Sequence, residues 1–234
     1  LDANGVDSIV LERQTRDYVL SRIRAGVLEP GSVQMLRDYG LGDRLDREGN
    51  PHDGVYIVWA GWEKLLIDTY KYNGKKLTAY GQTAITEDLY ASRDRDGGQV
   101  IHEAGDVTPL DLKSDAPYVT YTKDGAEHRI DCDFVARCDG LHGVSCRSIP
   151  ADVLRAYEKS YAFGWLAIMS ETRPLHDIIY ANHECGFTLA SQRNERLSRY
   201  YIQCDMSDTI EDWPDDRFWE ELKARYPQDM ADEI

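Results

Sequence analysis

The chain has 234 residues, enough for one large domain or two smaller ones with an ample core. Its formal net charge of −15 argues against a nucleic-acid partner, which needs a clustered basic face, while local arginines can still receive a small anion. No apolar stretch approaches the roughly 20 residues of a membrane span, and the five cysteines include no C-x-x-C pair, so the expectation is reduced thiols in a cytoplasmic protein.

Asn4-Gly5 reads as the C-terminal cap of a helix lying before Leu1, and residues 8–11 as a short buried strand ending at Glu12. In a dinucleotide-binding βαβ unit an acidic residue at that place hydrogen-bonds a ribose, about 20 residues after a glycine-rich phosphate turn. Glu12 fits that place, although many strands end in a solvated acid. Arg22-Ile23-Arg24-Ala25-Gly26 sets two arginines at i and i+2 beside a glycine, which reads as a pyrophosphate clamp or as a charged loop.

Residues 32–39 carry Val33, Leu36 and Tyr39 at helical spacing and stop at Gly40. Residues 55–59 and 64–68 read as a hairpin around Gly61, and Asn73-Gly74 as a second turn. Gln82 precedes a helix over 84–91, after which 99–101, 118–121 and 129–135 read as strands. The last of these runs into Arg137-Cys138-Asp139-Gly140, a turn expected at the carboxyl edge of a sheet, where α/β proteins bind ligands. Cys138, His142 and Cys146 have four-residue steps, but the glycines make this segment a turn and no fourth ligand pairs with them, so no metal site is expected.

Residues 163–169 read as a further apolar strand. Residues 188–193 and 197–203 then form a hairpin through Asn194-Glu195-Arg196. Side chains two apart on a strand share a face, so the Ser191 hydroxyl and the Arg193 guanidinium project together, a pair suited to a small carboxylate. A loop with an odd number of residues puts Tyr201 on that face as well, adding a phenol beside the anchor. A solvated hairpin with a chance arginine has the same spacing. From Asp212 a capped helix begins with Pro214 in its first turn, and Phe218, Trp219, Leu222 and Tyr226 form one apolar stripe that belongs to the core.

Several of these stretches occur together in one order: Val10-Leu11-Glu12-Arg13-Gln14-Thr15, Arg22-Ile23-Arg24-Ala25-Gly26-Val27-Leu28, Tyr80-Gly81-Gln82-Thr83, Cys138-Asp139-Gly140-Leu141-His142-Gly143, Phe163-Gly164-Trp165, Tyr180-Ala181-Asn182-His183, and Ser191-Gln192-Arg193 through Ser198-Arg199-Tyr200-Tyr201. With them the chain resembles the aromatic-ring flavoprotein monooxygenases. The resemblance implies an α/β fold in which a Rossmann-like FAD-binding domain (1–51 and 78–160) is interrupted by a mixed-sheet α+β substrate domain (52–77 and 161–234). It also implies FAD as cofactor, NADPH as co-substrate, dioxygen, and ortho-hydroxylation of 4-hydroxybenzoate to 3,4-dihydroxybenzoate, and it admits a homodimer.

By the same resemblance Glu12 takes the adenosine ribose, Arg24 and Gln82 contact FAD, and Asp139 lies by its pyrophosphate. Arg22 and His142 hold the pyridine nucleotide, and Arg13, Gln14 and Tyr18 favour NADPH over NADH. Ser191 and Arg193 bind the carboxylate, Tyr201 orients the ring, and Tyr180 hydrogen-bonds the phenol and draws off its proton. Tyrosine and a phenolic substrate are closely matched acids, which suits that exchange. The family pattern sets an arginine seven residues beyond the Asp of the Asp-Gly motif, whereas here that position is Cys146 and the arginine is Arg147. The opening glycine turn and the later Gly-Asp segment of the family are not in the sequence, so the expectation is an internal fragment, incomplete at both ends, colourless and inactive by itself. Two further readings are a related hydroxylase of another phenolic acid and a non-catalytic binding remnant.

Overall fold

The computed structural model describes residues 1–22, 25–59, 64–140, 142–172, 175 and 178–234. The chain divides into two compact units, one made of Leu1–Arg22 and Tyr90–Lys159 and the other of Ile23–Leu89 and Ser160–Ile234, with the boundary inside the Gln82–Arg95 helix.

In the first unit the Ile9–Glu12 strand pairs in parallel with Gln99–His102, so that Glu12 stands opposite His102. Parallel neighbours need a long crossover, and the two strands are accordingly far apart in sequence. Gly5 adopts φ 68° and caps the short Asp2–Asn4 turn through its N–H to the Asp2 carbonyl, the left-handed conformation that glycine reaches without strain. The guanidinium of Arg93 ties these segments together: it pairs with Asp2 and donates to the Ser8 hydroxyl and to the carbonyls of Ser8 and Gln99, each at 2.8 Å. Gly105–Leu110, Tyr118–Lys123 and Ala126–Asp131 form an antiparallel meander with the middle strand central.

Two expectations change here. Residues 8–11 are not a buried strand, since Ile9 and Val10 are 42% and 45% exposed. The strand expected over 129–135 ends at Asp131, because a strand is held by ladder partners and the following Phe134 and Val135 have none among the described residues. The Asp139-Gly140 turn therefore follows an irregular segment and not a strand end.

The second unit is built on a six-stranded mixed sheet in the order Gly164–Ser170, Ser198–Cys204, Gly186–Gln192, Ile178–His183, Gly54–Trp59 and Leu65–Asp68. All neighbours are antiparallel except Ile178–His183 and Gly54–Trp59, which run in parallel. The period of two gives each face its own row of side chains. One face presents Val58, Ile179, Ala181, Ala190, Tyr200 and Ile202 to the helices Asp215–Ala224 and Gln228–Ala231, whose Phe218, Leu222, Met230 and Ala231 close the core. Burying each Phe or Leu there stabilises the fold by about 1.5–3 kcal/mol. The apolar stripe of that helix is the expected one, but the helix starts at Asp215, after a separate turn, Ile210–Asp212, closed by a reciprocal Thr209–Asp212 capping box. Arg225 is buried against this core, donating to the carbonyls of Glu221 and Cys185 and pairing with the Glu221 carboxylate at 2.9 Å.

A second cluster of Val33, Leu45 and Tyr80 forms where the Pro30–Asp38 and Gly42–Glu48 helices meet the strand Leu77–Ala79. That strand is central in a three-stranded sheet, antiparallel to both Val27–Leu28 and Asn50–His52. The Tyr80 hydroxyl donates to Asp88 at 2.6 Å, and Arg44 bridges Glu48 and Glu87 at 2.8 Å each, pinning the 42–48 helix to the 82–95 helix. Burial and the Asp88 carboxylate push the Tyr80 phenol well above its usual value. The expected Asn73-Gly74 turn is the end of a short helix, Thr69–Asn73, with Gly74 at φ 69° as its cap. The turn of the 55–59/64–68 hairpin lies outside the described residues, while its strands pair as expected. No helix among the described residues is long and apolar enough to cross a membrane.

Gly31 lies in the first turn of the Pro30–Asp38 helix, and a Cβ added there would meet nothing within 4 Å. Gly31→Ala is expected to stabilise the protein by about 0.4–1 kcal/mol, through lost freedom of the unfolded chain. Calorimetry should show a melting temperature raised by roughly 1–4 °C; a lowered one contradicts the assignment.

Candidate functional site

The sheet face turned away from the helices carries the carboxylate-binding candidates. Register places Ile178 opposite Ser191 and Ser191 opposite Arg199, and in the next row Tyr180 opposite Leu189 and Leu189 opposite Tyr201. Paired residues on neighbouring strands share a face, so Tyr180, Ser191 and Tyr201 point to the same side. Tyr180 and Tyr201 are two strand spacings apart, roughly 10 Å, with Leu189 as the floor between them. Arg193 follows the strand end, its N–H on the Leu197 carbonyl at 2.8 Å, which closes the Asn194–Arg196 turn.

Ser191 is only 4% exposed, and its hydroxyl has no hydrogen-bond partner among the described residues. The Nε and Nη1 of Arg193 are likewise buried and unpartnered. Burial and the neighbouring Arg199 cation lower the Arg193 pKa, while the Tyr201 hydroxyl acts in the opposite sense. Buried polar groups without partners cost free energy, more so when charged. A carboxylate satisfies both orphans at once: it accepts from the guanidinium fork and from the hydroxyl, and it relieves the repulsion between Arg193 and Arg199.

Around this anchor the face is aromatic. The Phe187 ring centroid lies 5.9 Å from that of Tyr180 and 5.4 Å from that of Trp165, and the Arg199 guanidinium carbon stands 4.6 Å from the Tyr201 ring centroid. Phe187 and Leu189 went unread in the sequence; the pairing register, had it been known, would have revealed them. Tyr200 turns the other way into the core, fully buried. A cavity of about 210 Å³ between Trp165 and Trp213 lies at the other end of these strands and contains none of the candidate residues.

The nucleotide-side candidates fall in the first unit, apart from Gln82 and Arg24. Arg24 lies outside the described residues. Gln82 begins the 82–95 helix, its N–H bonded to the Ala25 carbonyl at 3.1 Å. Glu12 ends its strand with Oε1 accepting from the Gln14 N–H at 2.8 Å, and the Gln14 carbonyl meets His102 Nδ1 at 3.2 Å. Thr15 caps the Arg16–Ser21 helix through the Tyr18 N–H, and Arg22 stacks over the Tyr18 ring at 5.4 Å. Arg13 and His142 are exposed.

Asp139 organises its own loop. Its carboxylate accepts from the Ser145 N–H at 2.8 Å and from Arg137 Nε at 3.2 Å, and it lies so close to Gly143 that a Cβ there would sit 2.0 Å from its carboxyl carbon. The Ser145 backbone N–H, aided by the Ser145 side chain and Arg137, holds the Asp139 carboxyl below the usual carboxylate range. Because the folded-state value is the lower one, the tie stabilises the loop above the unfolded carboxylate value of about 3.9 and is lost as pH falls through the folded-state value. The Ser145 amide resonance is therefore expected to titrate with a midpoint below about 3.9; a midpoint at or above it refutes the tie. Cys146 is half-buried on the Val144–Arg147 helix while Arg147 is exposed, as follows from a step of one residue around a helix. All five cysteines are free, and no group of metal-binding side chains occurs among the described residues.

A parallel strand pair ending in an acidic residue and, in the same chain, a mixed sheet with a buried, unpartnered serine hydroxyl belong to one class: the chain is a member of the FAD binding domain family, which it matches over residues 1–234. It is 42% identical over 232 residues to p-hydroxybenzoate hydroxylase of Acinetobacter baylyi, an alignment covering 98% of this chain and 57% of that protein. The chain thus spans little more than half the length of this curated relative. Among solved structures it shares the fold of p-nitrophenol 4-monooxygenase PnpA from Pseudomonas putida DLL-E4 (TM-score 0.76, 14% identity, 96% of this chain and 58% of that one). The flavin-dependent halogenase CmlS also has this fold (TM-score 0.71, 20% identity, 97% and 42%).

Proposed function

We propose that the protein is a flavoprotein aromatic hydroxylase that uses FAD, NADPH and dioxygen to convert 4-hydroxybenzoate into 3,4-dihydroxybenzoate, one oxygen atom entering the ring and the other leaving as water. The observation that carries this reading is the buried, unpartnered Ser191 hydroxyl on the same sheet face as Tyr180 and Tyr201, with the buried, unpartnered nitrogens of Arg193 just past the end of that strand. The likeness to p-hydroxybenzoate hydroxylase supports it. In this reading residues 1–51 and 78–160 serve the cofactor and 52–77 and 161–234 the substrate.

The chemistry of the donor set fits a dinucleotide. The Glu12 carboxylate, at the carboxyl end of a parallel strand, is an acceptor for a ribose diol. The exposed Arg13 and Arg22 supply cations for phosphates and the exposed His142 a ring nitrogen for hydrogen bonding, with Gln14 and Tyr18 near the arginines in sequence. Gln82, Arg24 and Asp139 complete the proposed FAD contacts. When bound, FAD would take a hydride from NADPH and activate dioxygen, chemistry that belongs to the cofactor.

The protein's part is position and proton handling. Ser191 and Arg193 hold the carboxylate, so the ring lies over Leu189 between Tyr201 and Tyr180 with its phenol turned toward Tyr180. Tyr180 Oη accepts the hydrogen bond of the substrate phenol and passes a proton onward. The substrate thereby approaches phenolate, which enriches the ring carbon ortho to its oxygen and directs hydroxylation there.

Equilibrium titration tests the site directly. The protein is expected to bind 4-hydroxybenzoate and to discriminate against the neutral 4-hydroxybenzamide, and, within a chain of the relative's full length, to show bound-flavin absorbance and consume NADPH when the acid is added. Absence of acid binding refutes the reading. A panel of phenolic acids that monitors NADPH oxidation separates 4-hydroxybenzoate from another substrate of the same class.

A further inference from the structure

We infer that Gly26 is a positioning residue for the carboxylate anchor: its missing side chain is the space in which the Arg193 guanidinium lies. The inference rests on the proposed carboxylate site. An ideal Cβ built on Gly26 would stand 1.8 Å from Arg193 Nη1 and 2.9 Å from its Cζ, with the Gly81 Cα 3.2 Å away on another side. Atoms cannot approach that closely, so any side chain at 26 must evict the guanidinium.

The flexible guanidinium gives way more easily than the backbone, which two hydrogen bonds hold. The Gly26 carbonyl accepts from Tyr80 N–H at 2.8 Å, and the Ala25 carbonyl accepts from Gln82 N–H at 3.1 Å. Val27, the next residue, pairs with Ala79 in the three-stranded sheet. Gly26 is thus a wall that Arg193 lies against, and it sets the direction in which the fork faces. Its conformation does not call for glycine, since its φ is not among the positive ones; the close approach alone does.

The proposal separates from a merely structural role by coupling. Gly26→Ala is expected to weaken 4-hydroxybenzoate binding by about 10–100-fold, the effect of a misplaced charged hydrogen-bonding partner. Affinity for 4-hydroxybenzamide, which lacks the charge, should change less than about threefold. In an Arg193→Ala background Gly26→Ala should change 4-hydroxybenzoate affinity by less than about threefold, because the space is then vacant. If the single variant does not fold, the double variant should recover a cooperative melting transition.

Equal losses for acid and amide, additive losses in the double variant, or a double variant that fails to fold overturn the inference. So does Gly26→Ala binding the acid as the unmodified protein does while Arg193→Ala loses it, and that outcome leaves the carboxylate site standing. If instead the unmodified protein does not bind 4-hydroxybenzoate, or Arg193→Ala binds it unchanged, the site itself falls and this inference with it.

Discussion

Arg193→Ala is expected to weaken 4-hydroxybenzoate binding by about 2–4 kcal/mol, a loss of roughly 30- to 1,000-fold. The physical reason is where the guanidinium lies. Two of its nitrogens are buried without partners, and burial together with Arg199 already disfavours its charge, so the folded protein holds a cation waiting for an anion. A bound carboxylate supplies that anion in a buried setting, and removing the fork takes away its direct charged partner. Arg193→Lys should bind poorly as well, because an ammonium is a point charge and cannot form the paired contacts of the planar fork. Isothermal titration reads both. Unchanged affinity in Arg193→Ala would sink the anchor assignment, and affinity restored by lysine would show that charge alone matters.

In a chain of the relative's full length, Tyr180→Phe is expected to slow hydroxylation by a factor on the order of 10² or more while leaving acid binding largely intact, because proton transfer is lost but the carboxylate anchor is not. The phenylalanine keeps the ring and its packing on Phe187, 5.9 Å away between centroids, and removes only the hydroxyl. The bound substrate should then remain mainly a neutral phenol, detectable as loss of the phenolate absorbance expected with the unmodified protein. NADPH oxidation should outrun product formation, with peroxide released in place of hydroxylated acid. Product yield per NADPH equal to that of the unmodified protein would show that Tyr180 is not the proton acceptor.

These two residues were legible for different reasons. Ser191 and Arg193 are two apart, and local sequence suggested them as a pair because strand geometry makes such side chains face the same way; the strand ends at Gln192, so that argument reaches Ser191 and stops one residue short of Arg193. The caps at Gly5 and Gly40 and the stripe of Phe218, Leu222 and Tyr226 were equally local, because a left-handed cap and a helical period are properties of a few consecutive residues. Tyr180 came only from resemblance, since nothing in Ile179-Tyr180-Ala181 marks the tyrosine as part of a site.

The remainder belonged to tertiary structure. Tyr201 joins Ser191 because the Asn194–Arg196 turn sets Leu189 opposite Tyr201, a register that a shift of one residue would have reversed. The parallel pairing of Ile178–His183 with Gly54–Trp59 joins strands more than a hundred residues apart, and no periodicity encodes such a partner. For the same reason the strand expected over 129–135 stops at Asp131: its residues have the apolar character of a strand, but a ladder needs a neighbour, and the neighbour is chosen by the fold. Gly26 is the clearest case. In the sequence it is a glycine beside two arginines, and its purpose becomes visible only when a strand from the far end of the chain brings Arg193 to the place its side chain would have filled. Local sequence determined which residues could do the chemistry, through backbone periodicity and side-chain type. The packing of distant segments decided which of them meet, because burial and loop closure act on the chain as a whole.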